Sequence, residues 1–81
     1  MNLVELTEFI VKNLVADPES VSVRQIESEE EYTLIEVIVN NDDMGCVIGK
    51  QGKIANAIRT IIQASSYANN EKKVKINIDS M

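Results

Sequence analysis

Residues 44–62 read MGCVIGKQGKIANAIRTII, and every glycine of the 81-residue chain falls inside this stretch, as Gly45, Gly49 and Gly52. Its apolar residues, from Val47 and Ile48 to Ile61 and Ile62, have the look of one continuous helix, yet Gly49-Lys50-Gln51-Gly52 interrupts them. A glycine inside a helix costs roughly 1 kcal/mol relative to alanine, so two of them around two polar residues mark a break in the backbone. The reading of that break decides the fold. It predicts a helix of little more than one turn over 44–48, a tight polar turn, and a second helix from Lys53 to about Tyr67.

On the second helix Ile54, Ala57, Ile58, Ile61, Ile62 and Ala64 share one side, and Asn56, Arg59, Thr60 and Gln63 share the other. At 100° per residue the apolar arc covers about half the circumference, wider than the roughly 100° stripe a surface helix needs. The excess, carried by Ile58, Ile61, Ile62 and Ala64, predicts a homodimer interface. Deeper burial within one chain is the alternative.

Upstream, Asn40-Asn41-Asp42-Asp43 supplies turn formers and a helix N-cap. Before it, Tyr32 to Val39 places Thr33, Ile35, Val37 and Val39 on one face, and Val21, Val23 and Ile26 form a second β-branched run. Glu29-Glu30-Glu31 between them is the acidic tip of a hairpin. The step from Val23 to Ile26 breaks strict alternation, which predicts a bulge or an early end to pairing. From Asn2 to about Val15, Leu3, Leu6, Phe9 or Ile10, and Leu14 recur with a helical period, and Asp17-Pro18 is expected to end that helix.

Downstream, Asn69-Asn70 closes the long helix, and Lys73 to Asp79 alternates Val74, Ile76 and Ile78 against Lys73, Lys75 and Asn77. The order is α-β-β-α-α-β. A helical crossover lays its flanking strands parallel, so we expect an α+β domain over residues 1–81, with helices packed on one face of a three-stranded mixed sheet.

The chain lacks histidine and has one cysteine, Cys46, which is expected to be a small buried hydrophobe. No hydroxyl nucleophile stands beside an evident base and no metal-ligand cluster is visible, so neither an enzyme nor a metal or cofactor site is expected. Glu5, Glu8 and Lys12 break the N-terminal apolar residues, excluding a membrane span there, and a lone cysteine that cannot form an internal disulfide points to a cytoplasmic protein. The net charge of −5 is uneven: residues 1–43 hold two bases against eleven acids, and residues 44–81 hold six bases against two. Contact with a polyanion is thereby confined to the C-terminal half.

A turn between two helix ends presents the free N–H groups and positive dipole end of the second helix, where anions bind readily. Lys50 and Lys53 add charge there, and Gln51 can donate or accept. A nucleotide-hydrolysing P-loop needs four residues between its first glycine and the Gly-Lys pair, then a hydroxyl; here three residues separate Gly45 from Gly49-Lys50, and Gln51 follows. A dinucleotide G-x-G-x-x-G lacks its first pair. A GXXG turn that clamps a single-stranded nucleic acid, with bases over an adjacent groove, fits both spacing and placement.

Val47-Ile48-Gly49-Lys50-Gln51-Gly52-Lys53-Ile54 resembles the K-homology (KH) signature, an apolar pair, GXXG, and an apolar residue two positions on. The element order is similar to the type II, bacterial arrangement of the KH fold, and the chain resembles the small bacterial single-KH proteins of the KhpA type. The resemblance implies a non-catalytic protein that binds single-stranded RNA, a chaperone or post-transcriptional regulator. It implies action as a homodimer or with a larger multidomain KH-containing partner, in some bacteria in cell elongation and division. RNA contact is expected at Ile48, Gly49, Lys50, Gln51, Gly52, Lys53 and Ile54. Ile48 and Ile54 either floor a base groove or belong to the core, and Arg59 either joins the RNA contacts or pairs with an acid. The rival is a dimerisation or adaptor module whose RNA contact is incidental. With no aromatic near the turn, stacking is expected to contribute little.

Overall fold

The structure, a computed structural model, describes residues 2–27 and 32–81. Helix α1 (Leu3–Lys12) is followed by strands β1 (Ser22–Glu27) and β2 (Tyr32–Val39), helices α2 (Met44–Ile48) and α3 (Lys53–Ala68), and strand β3 (Lys73–Ser80). The sheet order is β1-β2-β3, with β1 antiparallel and β3 parallel to the central β2. This is the expected α-β-β-α-α-β order and mixed sheet. The acidic tip Glu29-Glu30-Glu31 lies outside the described residues.

Alternation along β2 buries Ile35, Val37 and Val39 completely, and Ile76 of β3 pairs beside Ile35. Against this face pack Leu3 and Val11 of α1, Val47 of α2, and Ile58 and Ile62 of α3. Complete burial of one such side chain contributes roughly 1.5–3 kcal/mol. On the opposite face Arg24 donates to its cross-strand partner Glu36 at 3.0 Å, and the Lys75 ammonium lies 4.2 Å from the Tyr32 ring centroid.

Several local expectations change. The β1–β2 register runs unbroken from Ser22 opposite Ile38 to Glu27 opposite Thr33, so there is no bulge. Val23 and Ile26 break alternation because they lie on opposite faces: Val23 pairs with buried Val37, and Ile26 with half-buried Leu34 on the outer side. Helix α1 begins as read, with the Asn2 side chain accepting the Glu5 N–H at 2.8 Å, but it stops at Lys12 rather than near Val15. The Asn13 side-chain amide takes up the Phe9 carbonyl at 2.7 Å and competes with another helical turn. Pro18 belongs instead to a separate 3₁₀ turn, Pro18–Ser20.

In the tetrad before α2, Asn40 caps a 3₁₀ turn by accepting the Asp42 N–H at 2.9 Å. Asp43 turns inward: only 4% exposed, it accepts the Ala16 and Asp17 N–H groups at 3.2 and 3.1 Å. Its carboxylate ties the loop after α1 to the foot of α2. At the far end of α3, Asn70 takes φ 57°, the Glu71 N–H reaches the Ser66 carbonyl and the Asn70 N–H reaches that of Tyr67. This is a Schellman ending with asparagine where glycine is commonest, so Asn69-Asn70 closes the helix as expected.

Candidate nucleic-acid interface

Helix α2 ends at Gly49, whose N–H makes the last helical bond to Gly45 at 3.0 Å while its own φ and ψ swing to 75° and 173°. Only glycine occupies that region comfortably. A Cβ at Gly49 would stand 2.6 Å from Cγ1 and 2.9 Å from both Cβ and the backbone nitrogen of Ile54, so the turn is pressed onto the start of α3. The Gly52 N–H closes the turn on the Gly49 carbonyl at 3.2 Å. Gln51 (φ 58°, ψ 25°) and Gly52 (φ 74°, ψ 14°) are both left-handed. A glutamine held there is strained, and such strain collects at binding sites.

The turn leads into an open helix start. Gly52 gives α3 no side-chain cap, and the first turn of α3 holds no acid, whereas α1 has both the Asn2 cap and Glu5. The Gly52 and Lys53 N–H groups bond to the Gly49 and Lys50 carbonyls, which leaves the later N–H groups of the first turn and the dipole of a 16-residue helix to an outside anion. Lys50, Gln51 and Lys53 are exposed around it, while Ile48 and Ile54 are half-buried against the core and support the turn from below. Among the described residues the ion pairs are Lys12–Glu8 and Arg24–Glu36, so Lys50, Lys53 and Arg59 pair with no described carboxylate.

From the turn a polar ladder descends α3. Asn56 lies nearest Gly52, and Arg59 donates to the Asn56 side-chain oxygen at 3.2 Å. Arg59 is therefore brought onto the face that continues the turn. The ladder ends in a groove of about 460 Å³ lined by Arg59, Thr60, Gln63, Ala64, Tyr67 and Val74. Val74 lies on β3, at the edge of the sheet. Tyr67, 58% exposed, puts an aromatic ring in this groove, about 22 Å along the helix from Gly52 at 1.5 Å per residue. The sequence reading placed no aromatic near the turn. Extending the polar face Asn56-Arg59-Thr60-Gln63 by one more helical turn would have reached Tyr67, but its meeting with Val74 has no local signal.

The four apolar residues expected to join two copies do not share one surface. Ile58 and Ile62 are 2% and 0% exposed and belong to the core, because the sheet and α1 cover their side of α3. Ile61, 49% exposed, and Ala64 remain outside. Cys46, expected to be buried, is exposed: the short α2 buries only Val47. A second cavity, of about 540 Å³, lies between the start of α1, the hairpin and the α3–β3 connection, with Glu71 and Lys72 as its charged lining residues. It has no glycine turn and no cluster of cations. No helix among the described residues is long and apolar enough to cross a membrane.

The fold has solved counterparts. Era from Aquifex aeolicus, bound to GDP·AlF4−, superposes with a TM-score of 0.69 at 18% identity, over 98% of this chain and 30% of that one. Era in complex with MgGDPNP and a 16S ribosomal RNA segment gives 0.67 at 18% identity, over 96% of this chain and 29% of that one. The chain thus spans under a third of either Era chain, and the likeness establishes the type II KH fold. Sequence relatives are nearer. The RNA-binding protein KhpA of Clostridium perfringens is 49% identical over 70 residues, 86% of this chain and 92% of that protein. KhpA of Listeria monocytogenes is 45% identical over 74 residues (91% and 95%), and KhpA of Borreliella burgdorferi 42% over 77 residues (95% and 92%). A family model described as KhpA/KhpB, KH domain, matches residues 4–78. By glycine turn, fold and sequence alike, the chain belongs to the KhpA/KhpB KH-domain family.

Proposed function

We propose that this chain is a non-catalytic RNA-binding protein that grips the backbone of a short single strand at Gly49–Gly52 and lays its bases along α3. The observation that carries this reading is the uncapped, acid-free start of α3, opened by three positive-φ residues and flanked by exposed Lys50 and Lys53. Backbone N–H groups and the two lysines hold phosphates, which positions the strand without reading its sequence. Arg59 extends the cationic track, and Ile48 and Ile54 keep the turn in shape. With no catalytic group in play, such a protein acts by occupancy, as a chaperone or post-transcriptional regulator.

Self-association is part of the proposal. Ala57, Ile61, Ala64 and Ala68 are all exposed and follow one another at spacings of four, three and four, the seam of a helix that packs against another. Small residues around one isoleucine let two α3 helices approach closely. The same seam suits a second copy or a larger KH-containing protein.

The test replaces Lys50 and Gln51 together by aspartate. Both side chains are exposed, and aspartate tolerates the left-handed conformation at position 51, so the fold should survive. Anisotropy of a labelled single-stranded RNA should show at least a tenfold loss of affinity, since two negative charges then face the phosphates. Unchanged binding by a folded double variant would refute the mechanism.

A further inference from the structure

Gln63 closes the polar ladder at the free edge of β3. Its Oε1 accepts the Val74 N–H at 2.9 Å, a backbone donor on the edge strand. That bond fixes the amide orientation, because only the oxygen accepts, and so Nε2 is a donor. Nε2 is buried and has no hydrogen-bond partner among the described residues. Buried donors are nearly always paired, so an orphan on the wall of a groove calls for a function.

The surroundings say which partner would satisfy it. Arg59 is donor-only, the Thr60 hydroxyl already donates to the Asn56 carbonyl at 3.0 Å, and the Tyr67 ring offers a stacking face. The Thr60 hydroxyl, its hydrogen spent, can only accept, so the donors this wall still has free are Gln63 Nε2 and the remaining N–H groups of the Arg59 guanidinium. Gln63 lies about 16 Å along the helix from Gly52, within the span of the roughly four nucleotides that a GXXG domain holds.

We propose that Gln63 selects uracil and guanine, with Nε2 donating to O4 of a uracil or O6 of a guanine stacked on Tyr67. Cytosine and adenine present an amino group at the equivalent position and would set donor against donor. Because Nε2 is buried, entry of the base requires the side chains over it to shift. The inference rests on the RNA-binding reading above and adds the class of base.

The experiment measures the affinity of the full chain for labelled U6 and C6, near-isosteric strands that differ in a carbonyl against an amino group, and for inosine and adenine hexamers. U6 should bind about fivefold more tightly than C6, the ratio one neutral hydrogen bond supplies, with inosine favoured over adenine in the same sense. Gln63→Glu keeps an oxygen for the Val74 N–H and turns the orphan donor into an acceptor. The U6/C6 ratio should then fall to unity or invert, whatever the added charge does to overall affinity, and a purely structural Gln63 would leave it unmoved. Equal affinities for both base pairs in the unaltered protein, or an unchanged ratio in Gln63→Glu, would overturn the proposal. The unaltered protein decides the matter if that variant does not fold. The Lys50→Asp, Gln51→Asp variant separates the two ideas: undiminished binding there refutes the phosphate grip itself, whereas lost binding beside an unselective parent refutes base selection by Gln63 alone.

Discussion

Alanine at Gly49 should cost far more than alanine at Gly52, although both glycines bound the same turn. At Gly52 the backbone is left-handed (φ 74°, ψ 14°) and an added Cβ meets nothing nearer than the Asn56 side-chain nitrogen at 4.0 Å. The left-handed region costs alanine roughly 1–2 kcal/mol, and lower entropy of the unfolded chain returns about 0.4–1 of that. At Gly49 the conformation is one that glycine alone visits freely, at about 1–3 kcal/mol for any other residue. The Cβ also collides with Ile54, and rotating that side chain relieves the 2.6 Å contact but not the 2.9 Å contact with the backbone nitrogen. Overpacking of this kind adds roughly 1–3 kcal/mol. The expected losses are therefore about 3–4 kcal/mol at Gly49 and about 1 kcal/mol at Gly52, against a total stability on the order of 4–12 kcal/mol for a chain of this length. Urea unfolding followed by circular dichroism separates them. With a slope of about 1 kcal/mol per M, the Gly49→Ala midpoint drops by about 3 M and the Gly52→Ala midpoint by about 1 M. Gly52→Asn should be nearly neutral, since asparagine visits the left-handed region readily. Equal midpoints for the two alanine variants would show that close packing on Ile54 does not hold the turn.

Removing the Asp43 carboxylate orphans the Ala16 and Asp17 N–H groups, so Asp43→Ala should lose about 2–4 kcal/mol in thermal unfolding and Asp43→Asn, which keeps one acceptor, about half as much. A loss below 0.5 kcal/mol would mean that solvent replaces the bonds. Donation from the Ser20 hydroxyl and then the Asn40 amide holds the Asp17 carboxyl below its ordinary 3.8. Its folded form thus binds a proton less readily than its unfolded form, and that contribution is present above pH 4 and fades as the pH falls further. Denaturation midpoints from pH 6 to pH 2 should fall less steeply in Asp17→Asn, and parallel curves would contradict this. Ile61→Glu, at a site 49% exposed, should leave the fold intact and give a monomer by analytical ultracentrifugation where the parent is a dimer. A parent that sediments as a monomer at high concentration ends the self-association proposal.

Much of the site was legible because it rests on backbone rules that act over a few residues. Gly49 and Gly52 marked the break in the helix, Lys50 and Lys53 gave that turn its exposed positive charge, and Ile48 and Ile54 were already placed between groove floor and core. Gln51 gave no such signal, since nothing in a glutamine betrays that its neighbours force it left-handed. Errors arose where one residue type serves two local structures. Asn13 ended a helix that hydrophobic period alone would have carried to Val15, and Val23 and Ile26 imitated a bulge because an outward-facing isoleucine and an inward-facing one are identical in sequence.

The sequence by itself determined the element order, the glycine turn and its charge, because period, glycine and capping residues act within a turn or two of where they stand. Only the tertiary structure decided which side of α3 each residue served. Ile58 and Ile62 went to the core, Ile61 and Ala64 stayed outside, and Arg59, Gln63 and Tyr67 faced the edge of β3. A helix that meets a sheet, a neighbouring helix and open solvent has three faces. One hydrophobic period marks only the boundary between apolar and polar, so the assignment waits for the packing of elements far apart in the chain.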